Sequence, residues 1–376
     1  MSEGSTTTIL LAGGGTGGHL YPGISVAQAL AREMPGARPL FLCTKREIDR
    51  TILAPTGFEF LEQSIVPPKR SIGGLLNFFT SWRETKDLVK RVLRERRPAA
   101  VLGLGGYAAG VAVKVASQRG IPTTILNPDV IPGKANLYLA RYVSVICAQF
   151  EQTRKQLSNS QQAKLRITGC PIREDIRTLP PRTEAAARLA LKPDLLTLVV
   201  TGASQGAASV NEAILGALPG LNLQGWQILH LSGKDHAGAV RDAYRAADID
   251  AAVIDFTPAM ADVWAVADLT VSRAGASSVA ELCACGAPSI LMPYPFHRDM
   301  HQRANAKVLA DAGAAVLFDD EKEKAKNAPR LRVVLESLLF DATRRAEMSA
   351  KAKSLGQPNA AENVARVITE MAAAGR

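Results

Sequence analysis

The sequence predicts an α/β fold with two doubly wound, Rossmann-like domains that face each other across a cleft. Strand-like apolar runs alternate with helical patterns along the 376 residues, and this alternation is typical of parallel sheets. It restarts after charged residues and prolines at residues 173–181, which indicates a domain boundary. Glycine-rich turns follow strands in both halves. We therefore expect domains at residues 1–172 and 173–376, with ligands outside the carboxyl ends of both sheets.

The predicted strands are short runs rich in apolar and β-branched residues, with helical patterns between them. They lie at residues 8–12, 38–43, 99–103, 122–126, 143–147, 165–168, 196–201, 227–231, 252–256, 269–272 and 289–292. Two helical patterns, at residues 331–339 and 360–371, follow the last strand. We expect both of these helices to pack on the sheets.

The first glycine-rich turn, at residues 12–19, reads Ala-Gly-Gly-Gly-Thr-Gly-Gly-His and joins a strand to a helix. Glycine adopts positive φ at little cost and lets a ligand approach the backbone. The helix start adds N–H groups and the positive end of the helix dipole, which favour phosphate or developing negative charge. We expect Pro22 in the first turn of this helix. His19 is a candidate general base, or else it shapes the loop or binds a phosphate.

Gly13, Gly15 and Gly18 also have the spacing of the dinucleotide fingerprint. A dinucleotide-binding fold requires an acidic residue at the end of the second strand, where it holds the ribose 2′-hydroxyl. Residues 44–46 at that place read Thr-Lys-Arg. These cations would suit a 2′-phosphate, so an NADP-binding reductase is one alternative, and a merely tight turn is another.

Two more glycine turns follow predicted strands, at residues 103–107 and 202–206. Each opens a helix whose N-terminus could bind a phosphate, and Ser204 adds a hydroxyl donor to the second turn. Neither has the Gly-Lys-Ser or Gly-Lys-Thr ending of a P-loop, which argues against an NTP-hydrolysing motor. Either turn could instead serve packing alone.

Residues 272–281, Ser-Arg-Ala-Gly-Ala-Ser-Ser-Val-Ala-Glu, combine a strand end, a glycine and a helix start. The helix N-terminus could face a diphosphate, while an ionised Glu281 accepts hydrogen bonds from two ribose hydroxyls. Alternatively, Ser278 and Glu281 form a capping pair that stabilises the helix. We favour a nucleotide site.

The charge of the chain implies an anionic partner, since the formal net charge is +10. Such a protein binds nucleic acid, a phosphorylated substrate or an acidic membrane. We expect no nucleic-acid partner, because no recognition fold or interleaved stacking aromatics are evident. The five cysteines lack the spacing of a zinc site and their odd number disfavours a disulfide framework. No metal, cofactor, transmembrane span or signal peptide is expected.

A basic segment at residues 69–97 has nine Lys or Arg residues against three acidic ones. Its large apolar residues include Leu75, Leu76, Phe78, Phe79 and Trp82. Apolar residues beside cations are typical of an element at a membrane surface, with Lys and Arg at anionic headgroups. The alternative is an amphipathic helix that packs on its own domain and has a solvated basic face.

Together these motifs resemble the bacterial peptidoglycan N-acetylglucosaminyltransferases, a family of the GT-B fold. The matching segments, which cover both predicted domains, are residues 14–19 with Pro22 and Gly23, 103–107, 132–136, 202–206, 273–281 and 299–306. The resemblance implies an inverting transferase that moves GlcNAc from UDP-GlcNAc to the MurNAc 4-hydroxyl of undecaprenyl-pyrophosphoryl-MurNAc-pentapeptide (lipid I), giving lipid II. It also implies a peripheral protein on the anionic cytoplasmic face of the cell membrane.

The resemblance further implies an acceptor-binding, membrane-associating first domain and a UDP-GlcNAc-binding second domain, with the last helix packing back on the first. It assigns UDP-GlcNAc binding to Thr16, Gly17, Gly18, Asn127, Arg173, Ser204, Thr257, Ala276, Ser277, Ser278, Val279, Ala280, Glu281 and Gln302. It assigns the acceptor diphosphate to Gly14, Gly15, Gly105, Gly106 and Tyr107. Two alternative functions remain open. The chain could be another UDP-sugar-dependent glycosyltransferase, or a peripheral membrane protein that uses a nucleotide sugar as a signal.

Two departures from the family pattern affect the predicted site. Residues 126–129 read Leu-Asn-Pro-Asp where the family has His-Glu-Gln-Asn. Asp129, at the Asn position, therefore competes with His19 as the catalytic base. Thr257 also replaces the usual residue, at a place where a backbone contact to uracil would tolerate the change.

Overall fold

The computed structural model describes residues 6–68, 71–202, 206–296 and 299–375. The chain divides into unit 1, which is Met1–Arg173 with Pro358–Arg376, and unit 2, which is Glu174–Gln357. Each unit contains one parallel sheet flanked by helices, so the predicted α/β class with two sheets is confirmed. Within the described ranges, no helix combines the length and apolar character needed to cross a membrane.

The strands of unit 1 are β1 (Thr7–Ala12), β2 (Ala37–Thr44), β3 (Glu59–Gln63), β4 (Ala100–Gly103), β5 (Thr123–Asn127), β6 (Val145–Ala148) and β7 (Leu165–Ile167). They form a sheet in the order β3-β2-β1-β4-β5-β6-β7. In β1, Ile9 and Leu11 belong to one hydrophobic cluster, whereas Leu10 and Ala12 belong to another. Because side chains alternate across a strand and both faces are buried, β1 is a continuous apolar run.

Strand β3, whose residues are Glu-Phe-Leu-Glu-Gln, was not predicted from the sequence. This strand lies at the edge of the sheet, and most of its side chains are at least partly exposed. An edge strand needs less apolar surface and often has charged side chains. The charges therefore conceal the strand pattern.

The helices of unit 1 before the boundary are α1 (Gly17–Glu33), α2 (Glu47–Leu53), α3 (Ile72–Arg96), α4 (Gly106–Ser117), α5 (Lys134–Leu139) and α6 (Asn159–Gln162). Helix α1 begins at Gly17, so the prediction of Pro22 in its first turn is wrong. Thr16 is extended, and its carbonyl oxygen accepts from the N–H groups of His19 and Leu20. These bonds close the first turn before Pro22.

The strands of unit 2 are β8 (Leu196–Thr201), β9 (Trp226–Leu231), β10 (Ala251–Ile254), β11 (Ala267–Ser272), β12 (Ser289–Leu291) and β13 (Ala315–Leu317). They pair in the order β10-β9-β8-β11-β12-β13. Strand β13 was not predicted, since three residues are too few to show a pattern. The predicted strands of both units match observed strands to within two residues at each end.

The helices of unit 2 are α7 (Glu174–Arg177), α8 (Arg182–Arg188), α9 (Ala208–Ala217), α10 (Ala237–Ala246), α11 (Met260–Val266), α12 (Ala276–Cys285), α13 (His301–Asp311), α14 (Lys324–Leu339) and α15 (Ala342–Leu355). Helices α9, α12 and α13 follow β8, β11 and β12 in the chain. Their N-termini therefore lie at the carboxyl-end edge of the sheet, where ligands bind in this class of fold.

The last helix, α16 (Ala360–Ala374), belongs to unit 1 although it follows unit 2 in the chain. Val364 and Ile368 share a buried cluster with Val26 and Leu30 of α1. An ion pair of 3.1 Å between Arg32 and Glu362 lies beside this contact. The apolar face of α16 thus completes the core of unit 1.

Candidate functional site

The glycine-rich turn after β1 is held by a buried carboxylate, that of Asp49 on α2. Gly15 N–H donates to Asp49 Oδ1 (2.7 Å) and Oδ2 (2.9 Å), and Thr44 donates to Oδ2 from its N–H (2.8 Å) and hydroxyl (2.7 Å). A Cβ on Gly14 would lie 2.2 Å from Asp49 Oδ2, so glycine is required there. Gly15 N–H thus donates to a buried carboxylate, while Gly14 and Gly15 stay predicted to lie at the acceptor diphosphate.

His19, on the first turn of α1, has two polar groups near its Nδ1, the nearer a carbonyl oxygen and the farther the Thr16 hydroxyl at 3.4 Å. Its Nδ1 lies 3.1 Å from the Gly14 carbonyl oxygen. A carbonyl oxygen only accepts, so Nδ1 carries the hydrogen, and Nε2 of the neutral ring has the lone pair. The imidazole packs against the start of α4, where a Cβ on Gly105 or Gly106 would lie 3.4 Å or 3.0 Å from the ring. The structure therefore brings together His19, Gly105 and Gly106.

The starts of α1 and α4 lack side-chain caps. Their N-cap residues are Thr16 and Gly105, and neither caps its helix with a side chain. Gly17 and Gly18 form the first residues of α1, and Gly18 is exposed. Uncapped N–H groups and two helix dipoles at one edge of the sheet favour an anion.

Two further polar groups lie around Gly15. Arg46 Nη1 donates to the Gly15 carbonyl oxygen at 3.0 Å. Tyr107 Oη and Arg46 Nη1 each lie 3.8 Å from the position that a Cβ of Gly15 would occupy. A guanidinium and a phenol are both donors suited to a phosphate oxygen. Tyr107 was predicted for this role, whereas Arg46 was considered only for a nucleotide 2′-phosphate.

Asn127 at the end of β5 is fixed by its neighbours. Its Nδ2 donates to the Asp129 carbonyl oxygen (2.8 Å), and its Oδ1 accepts from Asn136 Nδ2 (3.1 Å). Asn136 Nδ2 also donates to the Leu126 carbonyl oxygen (3.0 Å). Asn136 Oδ1 is buried without a hydrogen-bond partner among the described residues, 3.8 Å from the Cβ position of Gly105. Asn136 belongs to the motif at residues 132–136, but it was not among the site residues predicted from the sequence.

Arg173 is the last residue of unit 1 before the boundary. Its guanidinium carbon lies 5.3 Å from the ring centroid of Tyr21, which is on α1 two residues after His19. This distance is within the range of a cation–π interaction. Arg173 therefore lies beside the first turns of α1.

In unit 2, α12 begins directly after Gly275, which is extended and provides no side-chain cap. The capping pair considered for Ser278 and Glu281 is therefore not formed. Ser277 and Ser278 are partly exposed at the helix start. Three predicted ligands have buried side chains, namely Ala276, Val279 and Ala280. These three can offer a ligand only backbone groups.

Glu281 is buried one helical turn further along α12. The indole Nε1 of Trp264, on α11, donates to Glu281 Oε2 at 2.9 Å. An ionised carboxylate has about four acceptor positions, and the indole uses one of them. Trp264 therefore orients the carboxylate that was predicted to bind the ribose, and this partner was not predicted from the sequence.

Arg273, between β11 and α12, connects the carboxyl ends of neighbouring strands. Its Nη1 donates to the carbonyl oxygens of Met292 (3.0 Å) and Pro293 (3.2 Å) and to Asp320 Oδ2 (3.0 Å), and its Nη2 donates to Ser209 Oγ (2.7 Å). Burial lowers the pKa of Arg273, and its hydrogen bond to Asp320 opposes this. Burial would raise the pKa of Asp320, but hydrogen bonds, led by that from Ser209, outweigh it and lower the pKa. This network holds the loops around α12.

The side chains of Thr257 and Gln302 each accept a hydrogen bond from a nearby backbone N–H. Thr257 Oγ1 accepts from Ala259 N–H (3.1 Å), and Gln302 Oε1 accepts from Tyr294 N–H (2.9 Å). Ser204 lies outside the described residues. Gly206 has φ of 70°, and a Cβ there would meet a carbonyl oxygen at 2.5 Å, so this turn requires its glycine.

The apolar residues of the basic segment divide into two groups on α3. Phe78 and Trp82 are partly buried and pack against the unit 1 core. The exposed group, which we call the α3 patch, is Ile72, Leu75, Leu76 and Phe79. Ile72 is the most exposed of the four, at 83%. One side of α3 therefore packs on its own unit, as expected of an amphipathic helix, and the other side is exposed, as expected of a membrane-surface element. Residues 69–70 lie outside the described ranges.

Known proteins with similar sequences are glycosyltransferases. Residues 9–147 match the glycosyltransferase family 28 N-terminal domain, and residues 197–364 match the glycosyltransferase family 28 C-terminal domain. A protein of Lactiplantibacillus plantarum is 34% identical over 96% of this chain and 98% of its own length. A protein of Syntrophus aciditrophicus is 36% identical over 96% of this chain and 97% of its own length.

Both of these proteins are named UDP-N-acetylglucosamine--N-acetylmuramyl-(pentapeptide) pyrophosphoryl-undecaprenol N-acetylglucosamine transferase. Among solved structures, the crystal structure of Acinetobacter baumannii MurG is similar with a TM-score of 0.75 and 25% sequence identity. The similarity covers 97% of this chain and 99% of that one. The likeness thus extends over both units.

Proposed function

The chain belongs to glycosyltransferase family 28, and we propose that it transfers GlcNAc from UDP-GlcNAc to the MurNAc 4-hydroxyl of lipid I, giving lipid II. The observation that carries this proposal is the similarity, over nearly the full length of both partners, to relatives named for that transfer. The predicted GT-B architecture agrees with this proposal, since each unit contains a parallel sheet with helices and matches a domain of glycosyltransferase family 28. The enzyme is thus a UDP-GlcNAc-dependent N-acetylglucosaminyltransferase.

Transfer with inversion is a single displacement at the anomeric carbon. The acceptor 4-hydroxyl oxygen bonds to C1 of GlcNAc while the bond from C1 to the diphosphate oxygen breaks, and that electron pair leaves with UDP. The 4-hydroxyl proton goes to a base. His19 Nε2 is suited to take it, because Nδ1–H is engaged by the Gly14 carbonyl oxygen and Nε2 has the lone pair.

Asp129 is the second candidate for the base. Its carbonyl oxygen accepts from Asn127, and Asn127 in turn accepts from Asn136, whose Oδ1 lies near Gly105. Asp129 is therefore in the same hydrogen-bonded group as the strand ends beside His19.

Asn136 Oδ1 is a buried acceptor without a donor among the described residues, and leaving such an atom unpaired costs about 1–3 kcal/mol. A hydroxyl of the substrate that donates to Asn136 Oδ1 would recover this energy.

The donor nucleotide is assigned to unit 2. The uncapped start of α12, with the hydroxyls of Ser277 and Ser278, provides donors for the diphosphate. Glu281, oriented by Trp264, accepts from the ribose hydroxyls. Arg173 remains predicted to neutralise the departing diphosphate, which is the function of a preorganised cation in such a displacement. Ser204, Thr257 and Gln302 remain predicted donor ligands.

The acceptor diphosphate is assigned to the starts of α1 and α4 in unit 1. Gly105 and Gly106 allow close approach of a ligand to the backbone. Tyr107 Oη and the Arg46 guanidinium are the side-chain donors beside this backbone.

We further propose that unit 1 contacts the anionic cytoplasmic surface of the membrane through the α3 patch. Four exposed large apolar side chains on one helix are unusual on a protein surface and indicate an interaction site. The Lys and Arg residues of the same helix suit anionic headgroups. The acceptor, lipid I, is linked to a lipid, so an enzyme bound to the membrane surface would encounter it there.

Transfer of labelled GlcNAc tests the proposed function. The purified full chain is given UDP-GlcNAc and a short-chain analogue of lipid I, and the product is followed by mass spectrometry. We expect a product heavier by one GlcNAc residue, with little from UDP-glucose. Oxidation of NADPH in place of sugar transfer would reject the proposal in favour of the reductase alternative.

A further inference from the structure

One peptide group lies between two ionisable side chains in the turn after β1. The N–H of the Gly14–Gly15 peptide donates to the Asp49 carboxylate, at 2.7 Å from Oδ1 and 2.9 Å from Oδ2. The carbonyl oxygen of the same peptide accepts from His19 Nδ1 at 3.1 Å. The N–H and C=O of a trans peptide point in opposite directions. Asp49 and His19 therefore bind opposite sides of one planar group.

We propose that Asp49 is a positioning residue for His19, which it holds in the Nδ1–H tautomer through the Gly14–Gly15 peptide. The inference rests on the role of His19 as the general base. Asp49 does not contact His19 directly in this arrangement. Its effect passes through the peptide.

The electrostatics of the turn support this relay. The Asp49 carboxylate is fully buried and accepts from the Gly15 and Thr44 backbones and from the Thr44 hydroxyl. Hydrogen bonds in a chain polarise one another, so the carboxylate makes the Gly14 carbonyl oxygen a stronger acceptor for Nδ1–H. Once Nε2 takes the acceptor proton, the ring is a cation and the bond to Gly14 becomes charge-assisted. The relay therefore favours both the reactive tautomer and the protonated product.

The backbone keeps the relay in one geometry. Gly14 has no room for a Cβ beside Asp49 Oδ2, and Gly15 has φ of 86°, in the left-handed region. Arg46 Nη1 binds the following carbonyl oxygen, that of Gly15, at 3.0 Å. The peptide cannot rotate without breaking contacts on both sides. The glycines at this turn thus allow the backbone geometry that positions His19, and they also allow a ligand to approach the backbone.

Nitrogen NMR of the imidazoles tests the relay directly. The full chain is labelled with ¹⁵N at its five histidines, and the signals of His19 are assigned by their absence from the His19→Gln variant. In the wild-type protein at neutral pH, we expect the neutral His19 ring to be protonated at Nδ1. An Nε2–H tautomer in the wild-type protein would overturn the inference without any need for a variant.

The Asp49→Asn variant removes the charge and keeps the shape of the side chain. We expect the Nδ1–H population of His19 to fall and kcat to decrease at least about tenfold, with little change in KM for UDP-GlcNAc. Thr44→Val is the matched control, because it removes the hydroxyl donor to Asp49 and leaves the carboxylate on Gly15 N–H. We expect Thr44→Val to keep the His19 tautomer.

The two hypotheses can fail separately in this experiment. A folded Asp49→Asn protein with an unchanged His19 tautomer would overturn the relay, and Asp49 would then only stabilise the loop. A shifted tautomer with unchanged kcat would support the relay and reject His19 as the base. Urea denaturation of the variant beside the wild-type protein reports whether unit 1, in which Asp49 lies, is still folded.

Discussion

Arg273 and Asp320 form a buried ion pair in unit 2, with 3.0 Å between Nη1 and Oδ2 and side-chain exposures of 7% and 0%. Removing one partner of a buried pair leaves a charge without compensation, which costs about 3–5 kcal/mol. We expect Asp320→Asn to lower the free energy of unfolding of unit 2 by about 3 kcal/mol, measured by urea denaturation with tryptophan fluorescence.

The neighbouring residue provides a matched control for this change. Asp319 pairs with Arg303 at 2.8 Å, but the two side chains are 49% and 41% exposed. Exposed pairs contribute at most about 1 kcal/mol, so we expect Asp319→Asn to alter the free energy of unfolding little. Equal losses in the two variants would contradict the assignment of Arg273 as the residue that holds the strand ends together.

The contact between Trp264 and Glu281 leads to a prediction about donor affinity. Glu281→Gln keeps the size of the side chain and removes its charge, so hydrogen bonds from the ribose hydroxyls are weakened. We expect the affinity for UDP-GlcNAc to fall by about 1–3 kcal/mol in titration calorimetry. Glu336→Gln, at an exposed position on α14, is the control. If both variants bind like the wild-type protein, Glu281 is not a ligand.

His230 makes the stability of unit 2 depend on pH. It is buried on β9, accepts from Tyr244 Oη at Nδ1 (2.9 Å) and donates from Nε2 to Asn211 Oδ1 (3.0 Å). Burial lowers its pKa from 6.5 to about 3. Between these values the unfolded chain binds a proton that the folded chain does not, so the free energy of unfolding falls as the pH falls.

We expect this single group to lower the free energy of unfolding by about 2 kcal/mol between pH 7 and about pH 5. The measurement compares urea denaturation at both pH values in the wild-type protein and in His230→Gln. The variant is expected to be less stable at neutral pH and to lose this part of the pH dependence. The same pH dependence in both proteins would show that His230 does not titrate on unfolding.

The α3 patch leads to a prediction about membrane binding. A double variant, Leu76→Ser with Phe79→Ser, removes apolar surface that is exposed in the folded protein. We expect it to bind vesicles rich in phosphatidylglycerol much less than the wild-type protein does, while it keeps activity on a short-chain acceptor. Binding of the wild-type protein should weaken with salt, because each Lys or Arg near the surface contributes about 1 kcal/mol that is screened.

A second double variant controls for the loss of exposed apolar surface in general. Val333 and Phe340 are exposed at 65% and 57% in unit 2, outside the α3 patch. Val333→Ser with Phe340→Ser is expected to sediment with vesicles like the wild-type protein. Equal binding by both double variants would place the membrane contact elsewhere.

The sheets were predictable because their central strands, such as β1 and β8, are buried on both faces and therefore appear as apolar runs. The start of α1 was not predictable from the position of Pro22. The helix begins earlier, at Gly17, because the Thr16 carbonyl oxygen accepts from the N–H groups that close the first turn. The charges of β3 and the three residues of β13 gave no strand pattern. Local patterns thus locate elements that have strong periodicity and miss short or edge elements.

In the candidate site, the glycine turns and His19 were predictable because their chemistry is local in sequence. Asp49 was not, because it is 34 residues from Gly15 and lies in a helix that reads as charged surface. The same holds for Trp264, whose contact with Glu281 spans 17 residues. Side chains that orient a site come from other elements, and only the fold brings them to it.

Turnover of the His19→Ala variant tests the central claim most directly, namely that His19 is the general base of GlcNAc transfer. The transfer assay uses the short-chain analogue of lipid I, and the affinity for UDP is measured in parallel. We expect kcat to fall by about 10²-fold or more while the affinity for UDP stays nearly constant, because His19 acts on the acceptor hydroxyl. Turnover close to that of the wild-type protein would contradict the account and assign the base to Asp129.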